Sequence, residues 1–113
     1  MPTFECGSIV RVPFPYTDRP VVQRRPALVI SNAEFAHRHG LLWVLMITSA
    51  SNAAWAGDVA ITDFEAAGLP APSLVRTAKI ATIQCGDAGL LGTLDDPTLG
   101  LVLKAMRATI GPR

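Results

Sequence analysis

The chain has 113 residues with a formal net charge of +1, so residues 1–113 are read as one domain and no global basic field argues for a nucleic-acid partner. A domain of this size buries enough of its chain to fold without a staple. Half of the residues are hydrophobic and 17% are charged, an apolar balance that implies a second buried face such as a subunit interface.

In chain order, Ser8 to Phe14 reads as a strand, and Pro13 and Pro15 place it at an edge or a strand end. Tyr16-Thr17-Asp18-Arg19-Pro20 reads as a loop that is short and lacks glycine. Arg24 to Ser31 is a second strand whose unbroken apolar centre argues burial on both faces, with Pro26 at a strand start or on an edge. Asn32 to Arg38 reads as one or two helical turns, capped by Ser31 or Asn32 and stopped by Gly40. Leu41 to Thr48 is a third strand, followed by a small-residue loop over 49–57 and a short strand, Asp58 to Ile61. Gly68-Leu69-Pro70-Ala71-Pro72 is a rigid connector into a long strand from Ser73 to Ile83, and Leu90 to Leu94 follows a glycine-framed turn. Asp95 or Asp96 caps a terminal helix with Pro97 in its first turn; Leu99, Val102, Leu103, Met106 and Ile110 form its apolar stripe, and Gly111-Pro112 ends it. Several short strands and one terminal helix indicate a mainly β (α+β) domain, a small and strongly curved sheet or barrel.

Cys6 and Cys85 are far apart and in no ligand spacing, and are read as small core residues in a reducing compartment. His37 and His39 have no cysteine partner nearby, so neither a metal site nor a cofactor is expected; both are read as solvent-exposed. The longest purely apolar run, Leu41 to Ile47, is too short to cross a bilayer, so no membrane partner is expected and the protein is placed in the cytoplasm.

The chemistry concentrates near Arg24-Arg25-Pro26 and Ile47-Thr48-Ser49. The residue before a proline is pushed towards an extended form, so Arg25 emerges where the sheet begins. A guanidinium there suits bidentate contact with phosphate, and the hydroxyl of Thr48, at the end of its strand, can donate to a phosphate oxygen. A surface ion pair for Arg25 and simple strand propensity for Thr48 are the bland alternatives. Trp55 either stacks a base or packs against a neighbouring subunit. Arg76 and Lys79, three apart on a strand, are expected on opposite faces.

The ordered set Gly7-x-Ile9-Val10-x-Val12-x-Phe14-Pro15-x-Thr17-Asp18, Arg24-Arg25-Pro26-Ala27-Leu28-Val29-Ile30-Ser31, Ile47-Thr48-Ser49, Gly68-Leu69-Pro70-x-Pro72-Ser73-x-Val75-Arg76-x-x-Lys79-Ile80 and Gly89-x-x-Gly92-x-Leu94 resembles the MazF/PemK (Kid-like) toxins of bacterial type II toxin–antitoxin systems, over nearly the whole chain. The resemblance implies a small SH3-like barrel of the MazF/PemK/CcdB type with a C-terminal helix. It also implies a homodimer and a cognate antitoxin protein as partner. It implies a metal-independent endoribonuclease that cuts single-stranded RNA through attack of the ribose 2′-OH on the adjacent phosphate. The family's catalytic arginine maps onto Arg25 and its catalytic threonine onto Thr48. Tyr16, Thr17, Asp18, Arg19, Arg24, Ser49 and Trp55 are the expected RNA contacts. The general base is left unassigned, because arginine stays protonated at any ordinary pH. The alternatives are a catalytically weak or inactive RNA- or antitoxin-binding module of the same fold, or a gyrase poison like CcdB. The chain end Ile110-Gly111-Pro112-Arg113 lacks the tryptophan on which the last of these relies.

Overall fold

The computed structural model describes residues 4–15 and 22–112. Strands β1 (Ser8–Pro15), β2 (Val22–Val29), β3 (Leu41–Ser49), β4 (Val59–Ile61), β5 (Ser73–Gln84) and β6 (Gly89–Thr93) form one antiparallel sheet in the order β4-β5-β3-β2-β1-β6. Helix α1 (Ala33–His39) joins β2 to β3, and helix α2 (Asp96–Thr109) closes the chain. The sheet curls until β1 touches β5, although β2 and β3 lie between them. This is the curved, mainly β architecture expected from the strand pattern, with the terminal helix in place.

Two cores occupy the two faces of the sheet. Val10, Val12, Phe14, Ala27, Val29, Leu42, Val44 and Met46 fill the inner one. Ile9, Leu28, Leu45, Ile47 and Val75 fill the other, beneath Val102 of α2 and beneath Ala67 and Leu69 of the preceding turn. Because side chains alternate along a strand, a central strand must be apolar at every position to serve both cores. Ala27, Leu28 and Val29 are all fully buried, as the unbroken run in β2 implies. β1 lies between β2 and β6 over Ser8–Arg11, and Pro13 and Pro15 fall beyond its pairing with β6, at the strand end that the prolines imply. Pro26 does not open β2, which starts at Val22. It stands instead one residue before the β2–β3 ladder begins at Ala27, where β2 has no partner on its β3 side and a missing N–H costs nothing.

The helix signals hold with some refinement. Asn32, not Ser31, caps α1 by accepting from the Phe35 amide at 2.8 Å, while Ser31 Oγ accepts from the Trp43 amide at 3.0 Å. Gly40 ends α1 in the left-handed region. Asp95, not Asp96, caps α2, accepting from the Thr98 amide and hydroxyl at 3.0 and 2.7 Å. Along the α2 stripe Val102 is buried and Leu99 and Met106 pack against the core, but Ile110 is 66% exposed because the helix has already ended at Thr109. Cys6 and Cys85 are free thiols at the margin rather than the centre of the core, and burial, then the charge of Glu5, raises the Cys6 pKa.

Two local constraints fix the segments on either side of β4 and β5. The first is a contact between two backbones: a Cβ on Gly68, whose φ is 77°, would run into the carbonyl of Leu91, and one on Gly92 would run into that of Ala67. The second is the buried pair Arg76–Asp58. Arg76 grips the carboxylate with Nε at 3.3 Å and Nη2 at 2.9 Å, and also donates to the Ala53 carbonyl at 2.8 Å. Asp58 in turn accepts from the Trp55 amide at 2.8 Å, so one ion pair fixes both ends of the loop before β4.

Gly68→Ala is expected to cost about 2–4 kcal/mol through overpacking and a strained backbone, whereas Gly86→Ala, with open space around it, should cost under about 1 kcal/mol. Urea unfolding of the two variants measures this difference. Burial pulls the Asp58 pKa up, but the Arg76 hydrogen bond, the Trp55 amide and the Arg76 charge outweigh it and hold the group below its ordinary value. A depressed folded-state pKa contributes stability above the unfolded value, and this is lost as pH falls through the folded one. Asp58→Asn should therefore destabilise the protein at neutral pH by about 3–5 kcal/mol, because it leaves Arg76 uncompensated. It should also lose less stability than the wild type on acidification below about pH 4. Unfolding midpoints measured from neutral to acid pH would contradict this by declining in parallel.

Candidate functional site

The β2–β3 register pairs Ala27 with Met46, Leu28 with Leu45 and Val29 with Val44. Continued two residues beyond its last pair, it sets Arg25 opposite Thr48, both on the inner-core face. The side chains do meet there: Arg25 Nη2 lies 3.4 Å from Thr48 Oγ1, a long hydrogen bond. Among the described residues this is the one side-chain hydrogen bond that Arg25 makes, so its planar fork is largely uncommitted.

Thr48 Oγ1 accepts a second, shorter bond from Asn52 Nδ2 at 2.7 Å. With two donors on its oxygen, the hydroxyl has its own proton left to give. Thr48 is only 4% exposed, roofed by Arg25 and Asn52. Asn52 is delivered by a tight turn in which its amide donates to the Ser49 carbonyl at 3.1 Å and Ser49 Oγ pairs with Ser51 Oγ at 2.8 Å. Ser49 thus shapes the turn, and its hydroxyl is spent within it.

Trp55 follows three residues after Asn52 and is 45% exposed. The Arg76 guanidinium carbon lies 4.3 Å from the centre of its ring and the Lys79 ammonium 5.4 Å, both within cation–π range. The expectation that Arg76 and Lys79 face opposite sides is overturned. The β3–β5 ladder jumps from Leu45–Ile80 to Met46–Arg76, leaving Thr77, Ala78 and Lys79 without partners. An odd number of extra residues reverses the alternation, so Arg76 and Lys79 emerge on one face.

Arg24 does not join Arg25. As its neighbour on a strand it points to the other side, where it donates to the carbonyls of Arg11 at 3.1 Å and Asp87 at 3.4 Å. Tyr16, Thr17, Asp18 and Arg19 lie outside the described residues. His37 and His39 are exposed on α1, at the Leu41 end of β3, about 23 Å along the strand from Thr48. Among the described residues no group of three His, Cys, Asp or Glu side chains could hold a metal ion. No helix of these residues is long and apolar enough to cross a membrane. Sequence reasoning missed Asn52 and set Arg76 and Lys79 on opposite faces. Asn52 sits in a loop of small residues with nothing to single it out, and the interruption of β5 carries no glycine or proline to announce it.

Known structures share this architecture. MazF from Deinococcus radiodurans superposes with a TM-score of 0.81 at 22% identity, over 99% of this chain and 100% of that one. A MazE–MazF complex from the same organism gives 0.77 at 19% identity, covering both chains fully. An endoribonuclease in complex with its cognate antitoxin, from a mycobacterial species, gives 0.74 at 18%, over 100% of this chain and 98% of that one. At such identities these likenesses establish the fold alone. No curated protein matches by sequence. A family model does: the description "PemK-like, MazF-like toxin of type II toxin-antitoxin system" matches residues 5–110, from the strand that carries the Gly7 motif through to the end of the terminal helix. By that match the chain belongs to the PemK-like, MazF-like toxin family.

Proposed function

We propose that this chain is the toxin of a type II toxin–antitoxin pair, and that it cuts single-stranded RNA by transesterification without a metal ion, with Arg25 and Thr48 at the scissile phosphate. The observation that carries this reading is the meeting of Arg25 Nη2 and Thr48 Oγ1 at 3.4 Å across the end of the β2–β3 ladder.

In the reaction the 2′-oxygen of the ribose bonds to phosphorus and loses its proton, the bond from phosphorus to the 5′-oxygen breaks, and that oxygen gains a proton. The products are a 2′,3′-cyclic phosphate and a free 5′-OH. Negative charge builds on the non-bridging oxygens as the five-bonded phosphorus forms, and preorganised donors lower that barrier most. Arg25 supplies two parallel N–H groups to those oxygens. Its bond to Thr48 is the longer of the two on that hydroxyl, so an arriving phosphate displaces Arg25 before Asn52. Thr48, still held by Asn52, then donates its proton to the same group. Arg25 remains charged and is not the base. Neither His37 nor His39 is placed to act on this phosphate.

The partners follow from the same reading. The MazE–MazF complexes and the mycobacterial toxin–antitoxin complex share this fold and support a cognate antitoxin protein as partner. Exposed Trp43, Ile80, Leu90 and Leu101 offer apolar surface for a second copy of the chain, and a cytoplasmic homodimer is the assembly proposed. Contacts of Tyr16, Thr17, Asp18 and Arg19 with RNA remain part of the proposal through the family resemblance.

Arg25→Ala should lower cleavage of a labelled single-stranded RNA by about 10²–10³-fold while the circular dichroism spectrum and melting temperature stay unchanged. Thr48→Ala should fall in the same direction and Thr48→Ser should keep most of the activity, because the hydroxyl is retained. Full activity in Arg25→Ala would remove the guanidinium from the site. Cleavage should also persist in excess chelator; a loss restored by added divalent ion would contradict the metal-independent mechanism.

A further inference from the structure

The inner-core face carries more than the Arg25–Thr48 pair. Asn52 holds the Thr48 hydroxyl, and the next residue, Ala53, accepts from Arg76 with its carbonyl, so adjacent loop residues tie the candidate phosphate site to the cluster around Trp55. Arg76 is 7% exposed with its guanidinium against the indole, whereas Trp55 as a whole is 45% exposed, so a large part of its side chain meets solvent. Ala53, Ala54, Ala56 and Gly57 beside it are small and exposed, which leaves the approach to the ring flat and open. The loop cannot easily swing away, because Asp58 holds the Trp55 amide and Arg76 together.

We propose that Trp55, backed by Arg76 and flanked by Lys79, is a nucleotide subsite for the single-stranded RNA residue next to the scissile phosphate, with the indole stacking the base and the Lys79 ammonium binding that residue's phosphate. This subsite rests on the ribonuclease reading for the position of the scissile phosphate. A rigid aromatic face suits single strands because every base offers a π surface, and a nearby cation tracks the backbone. The buried guanidinium is held against the ring by Nε and Nη2 on the Asp58 carboxylate and by a second bond from Nη2 to the Ala53 carbonyl. Lys79 is only partly buried, lies further from the ring and makes no hydrogen bond or ion pair among the described residues, so it is the cation available to a ligand.

The test separates binding from cleavage. A mixed-sequence 2′-O-methyl RNA dodecamer lacks the attacking hydroxyl and cannot be cut. The chain has two tryptophans, so Trp43→Phe leaves Trp55 as the single fluorescent reporter. Titration with the dodecamer should quench that fluorescence. In the otherwise wild-type protein, Trp55→Ala should weaken binding about tenfold or more, and Trp55→Phe should restore most of it. Lys79→Gln should reduce the steepness of the salt dependence by about 0.7 in log–log slope, the loss of one phosphate contact on a single strand. Absence of quenching, or unchanged affinity in Trp55→Ala, overturns the subsite. So does a Trp55→Ala protein whose dodecamer affinity is intact while its sedimentation shifts, which would make the ring an interface between copies. Quenching by the dodecamer in a protein whose RNA cleavage ignores Arg25→Ala would keep the subsite and sink the catalytic reading; the reverse pattern would do the opposite.

Discussion

Everything proposed for this protein depends on one register: β2 and β3 run antiparallel with Ala27 facing Met46. That register is held by burial, not by the site. Ala27, Leu28, Val29, Val44, Leu45 and Ile47 are all fully buried, and they divide between cores on opposite faces of the sheet. A slip by one residue would send each side chain into the opposite core, against neighbours it is not shaped to pack with. Two residues past the end of the ladder, the same register leaves Arg25 across from Thr48 with no further freedom to choose. A strongly specified apolar sheet thereby places two polar groups that contribute little to its stability.

The loop after β3 acts as the second half of that device. Its residues are small, and its shape comes from polar bonds: Ser49 and Ser51 close the turn, Asn52 reaches back to Thr48, and Asp58 anchors Trp55 and Arg76. Arg25 and Arg76 both lie on this face, yet they are electrostatically different. Arg76 is neutralised by a buried carboxylate and bonded through both Nε and Nη2, which makes it structural. Arg25 makes a single long side-chain bond among the described residues, to the Thr48 hydroxyl. On the proposed reading, a phosphate at this face meets the Arg25 guanidinium and the Asn52-held hydroxyl of Thr48 near the anchored Trp55.

Much of this was legible from residue order, and the failures have physical causes. Strand-length apolar runs, the Asn32 and Gly40 signals at α1 and the Asp95-x-Pro97 start of α2 report local preferences that the fold respects. Arg25 and Thr48 could be paired because each ends an apolar run in neighbouring strands. Pro26 marks an edge position rather than the strand start, because a proline signals only a missing N–H partner on one side, and the β2–β3 ladder starts after it. Arg24 was grouped with Arg25 by adjacency, although adjacent residues on a strand point apart. The pairing of Arg76 with Lys79 was hidden because three unpaired residues in β5 reverse its alternation, and Thr77, Ala78 and Lys79 are ordinary strand residues. The long-range contacts that write this irregularity are Asp58 and Ala53 on Arg76, eighteen and twenty-three residues away, and no local pattern encodes them.

The most direct test of the central claim is chemical mapping of the ends left on RNA by the purified protein. If a guanidinium and an alcohol at the end of β2 and β3 assist attack by the neighbouring ribose hydroxyl, the upstream fragments end in a 2′,3′-cyclic phosphate and the downstream fragments begin with a free 5′-OH. Fragments beginning with a 5′-phosphate, or RNA left intact by folded protein, would contradict it.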